Sequence, residues 1–271
     1  MAGEAAAASA ALPVFRSSSG NNLVYEKLNG KGPGIVYLHG ISSSRIGEKA
    51  NALEAYCKKE GRAFIRFDYS GHGQSEGSFE ECNVSTWLSD VQSVIDNLTE
   101  GKQVLVGSSL GGWLMLLYAM RNPDKIHALV GLAVAADYTQ RIWNSLNSET
   151  KKQVKTLGYY EYLSPYGDNK PVNYTLQFIQ DGSKHTVLDM PGLEIIKAPV
   201  RLLHGDLDDV IPTSVSLALM QKITSSVTLD VIDDGDHRLS RPDDIAQLLR
   251  LVGECCKCDD EVDLCQSMDD D

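Results

Sequence analysis

The sequence Val104-Leu-Val-Gly-Ser-Ser-Leu-Gly-Gly-Trp-Leu-Met-Leu-Leu-Tyr118 changes from a strand pattern to a helix pattern within a few residues. Aliphatic and β-branched residues end at Gly107, and an apolar helical pattern begins just after Ser109. The turn between them has the form G-x-S-x-G, which at such a junction is typical of a nucleophile on a tight turn. Gly107 and Gly111 leave space on both sides because they carry no Cβ. We predict that Ser109 is an exposed nucleophile; the competing interpretation is a helix-capping turn.

The composition limits the classes of protein to consider. The chain has 271 residues, of which 42% are hydrophobic and 23% are charged, and its formal net charge is −12. This length suffices for one large core, and α/β folds of this length commonly form a single domain. No basic stripe is present to neutralise phosphates, so we expect no nucleic-acid partner. No apolar run approaches the roughly 20 residues that cross a bilayer, so we expect no stable membrane insertion.

The two ends of the chain differ in composition from its body. Residues 1–19 are predicted to form a disordered leader, because the Ala-rich start lacks the Arg and Lys residues of a presequence. Residues 20–252 carry the regular patterns and are predicted to form one domain. Residues 253–271 are predicted to form an acidic, Cys-rich, solvated tail. Four of the six cysteines crowd this tail, namely Cys255, Cys256, Cys258 and Cys265.

Strand and helix patterns alternate through the body. Strands are predicted at 23–28, 35–38, 63–67, 104–106, 128–133, 200–205 and 227–232, and helices at 48–60, 84–98, after Ser109, at 213–223 and at 243–252. This alternation predicts an α/β fold with a mainly parallel central sheet and helices on both faces. The alternation stops from about 136 to 192, where the chain is irregular and aromatic, and we predict a lid insertion over the strand ends.

Three candidate catalytic side chains each follow a different predicted strand. Ser109 follows one strand, the carboxylates Asp206, Asp208 and Asp209 follow another, and His237 follows the last. Because the carboxyl ends of parallel strands meet at one edge of the sheet, these side chains are expected to converge there. Asp208 is our choice for the acid that orients His237, since it lies one short turn past its strand, with Asp206 and Asp209 as alternatives. A solvated acidic turn is the competing interpretation.

The oxyanion hole of this chemistry needs two backbone N–H groups beside the nucleophile. Leu110 opens the helix after Ser109, and Ile41 follows the strand that ends in His39-Gly40, so their N–H groups are the candidates. The His39 side chain is either a packed histidine that bonds its own loop or a residue of the substrate pocket.

The aromatic insertion supplies the remaining pocket candidates. Trp143 and Tyr162 are candidate pocket residues, although packing of the insertion onto the body is the alternative for each. His72 precedes the nucleophile and lies between two glycines, which favours a structural role over that of a base. No metal site is predicted, because the cysteines of the tail lack paired C-x-x-C clusters and a histidine. No cofactor is predicted for a serine nucleophile with a histidine base.

Several segments together resemble the α/β-hydrolase superfamily. These are Leu38-His-Gly40, Phe67-Asp-Tyr-Ser-Gly-His-Gly-Gln-Ser75, Gly107-Ser-Ser-Leu-Gly111, His204-Gly-Asp-Leu-Asp-Asp-Val-Ile-Pro212 and Gly235-Asp-His237. Within that superfamily the chain is similar to the α/β-hydrolase domain-containing protein 10 type. The segments that carry this similarity are Ile65-Arg-Phe-Asp-Tyr-Ser-Gly71, Gly107-Ser-Ser-Leu-Gly-Gly-Trp-Leu-Met115, Arg201-Leu-Leu-His-Gly205 and Asp236-His-Arg238.

The resemblance implies an activity beyond what the residues alone suggest. It implies the α/β-hydrolase fold over nearly all of residues 20–252 and a cofactor-free serine hydrolase with Ser109, Asp208 and His237 as its triad. The implied substrates are palmitoyl thioesters of proteins and acyl glucuronide esters. The implied location is the mitochondrion, with the cytoplasm as alternative because the leader lacks the several arginines of a mitochondrial presequence. The alternatives in activity are a carboxylesterase, lipase, C–C hydrolase or peptidase, or a ligand-binding receptor on the same scaffold.

Overall fold

The computed structural model describes residues 12–163 and 171–257 of the chain. The strands are β1 Val14–Arg16, β2 Asn22–Leu28, β3 Lys31–Leu38, β4 Arg62–Phe67, β5 Gln103–Ser108, β6 Ile126–Leu132, β7 Tyr159–Leu163, β8 Pro171–Thr175, β9 Val200–Gly205 and β10 Val227–Ile232. The α-helices are α1 Glu48–Glu60, α2 Val84–Leu98, α3 Leu110–Arg121, α4 Tyr138–Ser145, α5 Ser148–Leu157, α6 Leu176–Gly182, α7 Ser214–Lys222 and α8 Pro242–Lys257.

Eight of these strands form the central sheet, in the order β1-β2-β4-β3-β5-β6-β9-β10. The pairs β1–β2 and β2–β4 are antiparallel, and every other neighbouring pair is parallel. The prediction of a mainly parallel sheet is therefore confirmed. Leu38 of β3 pairs with Gly107 of β5, which in turn pairs with Gly131 of β6. The carboxyl ends of these strands consequently lie level with one another at one edge.

Helices cover both faces of the sheet because side chains alternate along the buried strands. Val36 and Leu38 belong to the core cluster that contains Trp87 of α2 and Trp113 of α3. The intervening residues Ile35 and Tyr37 belong to a second cluster, built with Leu53 of α1 and Leu251 of α8. The near-continuous apolar sequence of β3 is thus explained by burial on both faces.

The start of the body lies earlier than predicted. Strand β1 and the residues after it fall within the predicted leader, yet they are bound to the fold. The hydroxyls of Ser17 and Ser19 donate to Oδ1 of the buried Asp90 over 2.8 and 2.7 Å. The boundary predicted at residue 19 is therefore wrong for residues 12–19, and residues 1–11 lie outside the described residues.

The last helix extends past the predicted end of the domain. Helix α8 continues to Lys257, and Cys255 and Cys256 on it are 3% and 1% exposed. Cysteine behaves as a small apolar residue, so both side chains continue the buried face of the helix. Arg62 also donates to the Cys256 carbonyl oxygen over 3.0 Å. The tail boundary predicted at residue 253 is wrong, and the rest of that tail, 258–271, lies outside the described residues.

The chain between β6 and β9 leaves and re-enters the sheet between two adjacent strands, at the place predicted for the insertion. It contains α4, α5, α6 and the antiparallel pair β7–β8, although the sequence predicts irregular structure there. Helix α5 is capped by the Asn147 side chain, which accepts from the Thr150 N–H, and by Gly158 at its end. Only Val154 of α5 is buried, so the face that this helix packs against the rest of the protein is narrow. None of the described helices combines the length and apolar character that crossing a membrane requires.

Candidate active site

Ser109 lies on a strained turn between β5 and α3. Its backbone angles are φ 54° and ψ −115°, a conformation that costs a non-glycine residue free energy and persists only when its surroundings enforce it. The Ser109 N–H donates to the Leu132 carbonyl oxygen over 2.9 Å, and the Ser109 carbonyl accepts from the Ala135 N–H over 3.1 Å. A Cβ on Gly107 would lie 2.6 Å from the Gly111 carbonyl oxygen, and one on Gly111 would overlap the Leu38 carbonyl. Both glycines are required by this close packing.

Ser109, His237 and Asp208 form a continuous hydrogen-bonded chain. His237 Nε2 lies 3.0 Å from Ser109 Oγ, and His237 Nδ1 lies 2.8 Å from Asp208 Oδ2. An ionised carboxylate only accepts hydrogen bonds, so we assign the proton of neutral His237 to Nδ1. Nε2 is then free to accept a proton from the Ser109 hydroxyl. Each of these side chains follows a strand of the sheet, as the sequence predicts.

Asp208 is selected from the three neighbouring carboxylates by its burial and its partners. Its side chain has no exposure to solvent, whereas Asp206 and Asp209 are exposed residues. Its Oδ1 accepts from the N–H groups of Val210 and Ile211 over 2.9 and 2.8 Å, which fixes the carboxylate within its own turn. Burial opposes ionisation of Asp208, but hydrogen bonds from His204 and His237 outweigh it and hold its pKa well below its usual range.

His204 is a neighbour of this carboxylate that sequence reasoning missed. It lies on β9, has no exposure to solvent, and places Nε2 3.2 Å from Asp208 Oδ2. The sequence shows only a histidine at the end of an apolar strand, which is the pattern of an ordinary core residue. The spacing of four residues between His204 and Asp208 is the one local feature that suggests a contact. The sequence does not give the geometry of the turn between them, so the contact could not be predicted.

The two predicted oxyanion donors lie next to Ser109. Leu110 is the first residue of α3, so its N–H has no acceptor within the helix and lies at the positive end of the helix dipole. Ile41 lines the pocket that contains Ser109. Gly40, the residue before Ile41, lies close to Ser109, because a Cβ on Gly40 would lie 3.4 Å from Ser109 Cβ. Leu110 adjoins Ser109 in sequence and Ile41 lines the same pocket, so both remain the candidate oxyanion donors.

The loop that carries Ile41 is held by buried polar contacts. Arg45 donates from its backbone N–H and its guanidinium to Asp68, in both cases over 2.6 Å. The Ser42 N–H donates to His72 Nε2 over 3.3 Å. Burial lowers the pKa of His72 to about 4, so the ring stays neutral and Nε2 remains an acceptor near neutral pH. The structural role predicted for His72 agrees with these contacts.

His39 does not line the substrate pocket. The ring is fully buried, its Nδ1 donates to the Gly40 carbonyl oxygen over 2.8 Å, and its Nε2 accepts from the Tyr69 N–H over 3.4 Å. Burial and the neighbouring His72 lower its pKa well below the usual value. The prediction of His39 as a pocket residue is wrong, because the ring turns back onto its own loop. The alternative interpretation, a packed histidine, describes it.

A pocket of about 290 Å³ opens beside Ser109 and His237. Its apolar wall includes Ile41, Tyr138, Tyr162, Val172, Tyr174 and Val210. The rings of Tyr162 and Tyr174, one from each strand of the β7–β8 pair, stack with centroids 5.1 Å apart. A larger cavity of about 510 Å³ at another part of the surface is lined by residues such as Gly30, Gly101 and Gln103 and contains no histidine or cysteine. The smaller pocket is therefore the candidate active site.

Trp143 lies outside this pocket, and its prediction as a pocket residue is wrong. The ammonium groups of Lys151 and Lys155 lie 5.6 and 5.8 Å from the centre of its ring. Helix α4 thus directs the ring towards α5, where cation–π contacts and packing of the insertion hold it. Within the described residues, no group of three or more His, Cys, Asp or Glu side chains is arranged to hold a metal ion.

The parallel sheet, the strained serine turn and the chain order of serine, acid and histidine define an α/β-hydrolase. A family model described as serine aminopeptidase, S33, matches residues 34–166. The bovine (Bos taurus) protein named "Palmitoyl-protein thioesterase ABHD10, mitochondrial" is 43% identical over 235 residues, which cover 86% of this chain and 76% of the bovine protein.

Solved structures give the same assignment. The structure of α/β-hydrolase domain-containing protein 10 from mouse is 41% identical and superposes with a TM-score of 0.84, covering 90% of this chain and 98% of the mouse chain. A putative hydrolase from Agrobacterium vitis S4 is 30% identical, with a TM-score of 0.82 and coverage of 90% and 96%. The chain belongs to the ABHD10 family of α/β-hydrolases. Both the superfamily and the type that the sequence motifs indicate are confirmed.

Proposed function

We propose that this protein is a serine hydrolase that cleaves long-chain acyl thioesters through an acyl-enzyme on Ser109. The observation that carries the proposal is the hydrogen-bonded chain from Asp208 through His237 to Ser109 inside an apolar pocket. A serine hydroxyl is unreactive at its own pKa and needs an adjacent base, which His237 supplies. The Asp208 carboxylate fixes the tautomer of His237 and stabilises the imidazolium that forms during the reaction.

The reaction proceeds in two halves on this arrangement. Ser109 Oγ attacks the thioester carbonyl carbon while His237 Nε2 takes the hydroxyl proton, and the carbonyl oxygen becomes an oxyanion. The N–H groups of Ile41 and Leu110 stabilise that oxyanion, and one such donor typically contributes about 10²- to 10³-fold to kcat. The C–S bond then breaks and the thiol receives the proton from His237. Water activated by His237 attacks the acyl-enzyme and releases the carboxylic acid and Ser109.

The substrate is proposed from the relatives and from the pocket. The ABHD10 relatives are named palmitoyl-protein thioesterases and mitochondrial, so we propose an acylated protein as substrate and the mitochondrion as location. Stacked tyrosines and aliphatic side chains beside Ser109 offer an acyl chain an apolar surface.

A second candidate substrate is an acyl glucuronide ester, in which the leaving group carries a carboxylate. The exposed Arg238 follows His237 at the rim of the pocket and suits an anionic group. Lys49 lies beside it and donates to the Arg238 carbonyl oxygen and, over 3.1 Å, to Ser240 Oγ. These bonds steady the loop that carries the guanidinium.

The test is the kcat/KM of the purified protein for acyl thioesters and oxygen esters with two to sixteen carbons. Ser109→Ala is expected to abolish turnover of all of them with an unchanged circular dichroism spectrum, whereas the control variant Ser148→Ala, at an exposed position of α5, retains turnover within a few-fold. Wild-type rates that rise with chain length on thioesters support the thioesterase. Unchanged turnover in Ser109→Ala would contradict the mechanism, and no turnover by the wild type on any substrate favours a ligand-binding receptor.

A further inference from the structure

The carboxylate of Asp208 has two histidine neighbours on the same oxygen atom. His237 Nδ1 lies 2.8 Å from Oδ2 and His204 Nε2 lies 3.2 Å from it. His237 faces the pocket and reaches Ser109, whereas His204 is fully buried on β9 and also bonds to Ile211 and Ser216. A serine, a base and an acid are sufficient for the proposed reaction, so the second histidine requires its own explanation.

The surroundings of His204 fix which of its nitrogens carries a proton. Nε2 lies 2.8 Å from the Ile211 carbonyl oxygen as well as 3.2 Å from Asp208 Oδ2, and both oxygens only accept hydrogen bonds. Nε2 must therefore carry the proton and share it between them. Nδ1 lies 2.7 Å from Ser216 Oγ on α7, so the Ser216 hydroxyl donates to it. Every polar atom of the neutral ring is then satisfied.

We propose that His204 is a positioning residue that holds the Asp208 carboxylate, and the turn that carries it, in place for His237. The inference rests on the triad proposed above and assigns its acid a dedicated support. The N–H of His204 donates to Oδ2 and partly neutralises its negative charge. The attraction between Asp208 and protonated His237 is therefore weaker than it would be without His204. Through the Ile211 carbonyl it also fixes the 208–211 turn, whose N–H groups bind Oδ1.

The other charged or titratable groups that face Asp208 do not replace this contact. Arg141 of α4 interacts electrostatically with Asp208, and burial lowers the pKa of Arg141. The N–H groups of Val210 and Ile211 bind Oδ1, on the side of the carboxylate away from the shared oxygen. His204 is consequently the neighbour that shares Oδ2 with His237.

The experiment compares pH profiles of kcat/KM for a long-chain acyl thioester in wild type, His204→Phe and His204→Gln. Phe keeps a flat ring without a donor, whereas the Gln amide places a donor near the position of Nε2. Without the donor, the bond from Asp208 to protonated His237 strengthens. We expect His204→Phe to move the acid limb upward by about one pH unit and to lower kcat about tenfold with little change in KM. We expect His204→Gln to keep the pH of the acid limb and the kcat close to their wild-type values.

Two further variants make the result decisive. Ser216→Ala leaves the ring in place but removes the hydroxyl that donates to Nδ1 and polarises the Nε2–H donor. It is expected to shift the acid limb in the same direction by less. His127→Phe removes a histidine of β6 that binds the Cys255 carbonyl oxygen and is expected to leave the profile unchanged. An acid limb at its wild-type pH in folded His204→Phe overturns the proposal. If that variant does not fold, an unshifted limb in Ser216→Ala overturns it.

The failure of this inference differs from the failure of the proposed function. Retained turnover in Ser109→Ala contradicts the serine mechanism, whatever the His204 variants show. An inactive Ser109→Ala together with an unshifted pH profile in His204→Phe removes only the positioning role and leaves the triad intact.

Discussion

Replacing Asp208 by Asn tests the tautomer argument with almost no change in volume. The Asn carbonyl oxygen can still accept from the N–H groups of Val210 and Ile211, as Asp208 Oδ1 does at 2.9 and 2.8 Å. The amide NH₂ then occupies the position of Oδ2, 2.8 Å from His237 Nδ1, while His204 Nε2 keeps its bond to the Ile211 carbonyl oxygen. Because the amide donates there, Nδ1 must accept and the His237 proton moves to Nε2. In that tautomer His237 cannot take the proton of Ser109.

The expected decrease in kcat follows because His237 can no longer act as the base. An Asp-to-Asn change in a Ser-His-Asp triad that forces the wrong tautomer lowers kcat about 10⁴-fold, or about 5 kcal/mol in transition-state stabilisation. We expect a loss of this order in kcat for a long-chain acyl thioester near pH 7.5, measured by the release of free thiol. Asp206→Asn is the matched control, since Asp206 is exposed and lies two residues away, and its rate stays within about twofold. A loss below about tenfold in Asp208→Asn would refute the reasoning.

Two other properties of the structure make quantitative predictions. Burial lowers the pKa of His72 to about 4 in the folded chain. Between pH 6.5 and 4 the unfolded chain therefore binds a proton at His72 that the folded chain does not. The contribution of His72 to the free energy of unfolding falls by about 3 kcal/mol as the pH decreases through that window. Urea unfolding of wild type and His72→Gln across that range checks this, and an equally steep decrease in the variant contradicts it. Tyr162→Ala removes a ring of the pocket wall and is expected to lower the ratio of kcat/KM between sixteen- and four-carbon thioesters by about tenfold, whereas Trp143→Ala, outside the pocket, leaves that ratio unchanged. Equal ratios in Tyr162→Ala and wild type would show that Tyr162 does not contact the acyl chain.

The parts of the site that the sequence predicts are those with a local physical signature. Ser109 is recognisable because two glycines and a strand-to-helix junction are required for its strained backbone, and all of these are visible within a few residues. Asp208 and His237 follow from the geometry of parallel sheets, in which the ends of strands meet at one edge. The choice of Asp208 over its neighbours is less determined by sequence, and only the burial seen in the structure explains it.

The parts that the sequence does not predict depend on contacts between distant segments. The hydroxyls of Ser17 and Ser19 bind Asp90, more than seventy positions away, so residues that look like a polar leader are in fact part of the body. Cys255 and Cys256 precede an acidic run in the sequence, so the sequence pattern does not show that they belong to the buried face of α8. The directions of the His39 and Trp143 side chains depend on tertiary packing, and periodicity carries no information about them.

Covalent labelling of the nucleophile tests the central claim most directly. A fluorophosphonate is incubated with the purified protein, the modified residue is located by peptide mass spectrometry, and thioester turnover is measured on the same samples. We expect one adduct per chain on the peptide that contains Ser109, turnover that falls in proportion to the labelled fraction, and no adduct in Ser109→Ala. Turnover that continues in fully labelled protein, or labelling that persists in Ser109→Ala, would contradict the account.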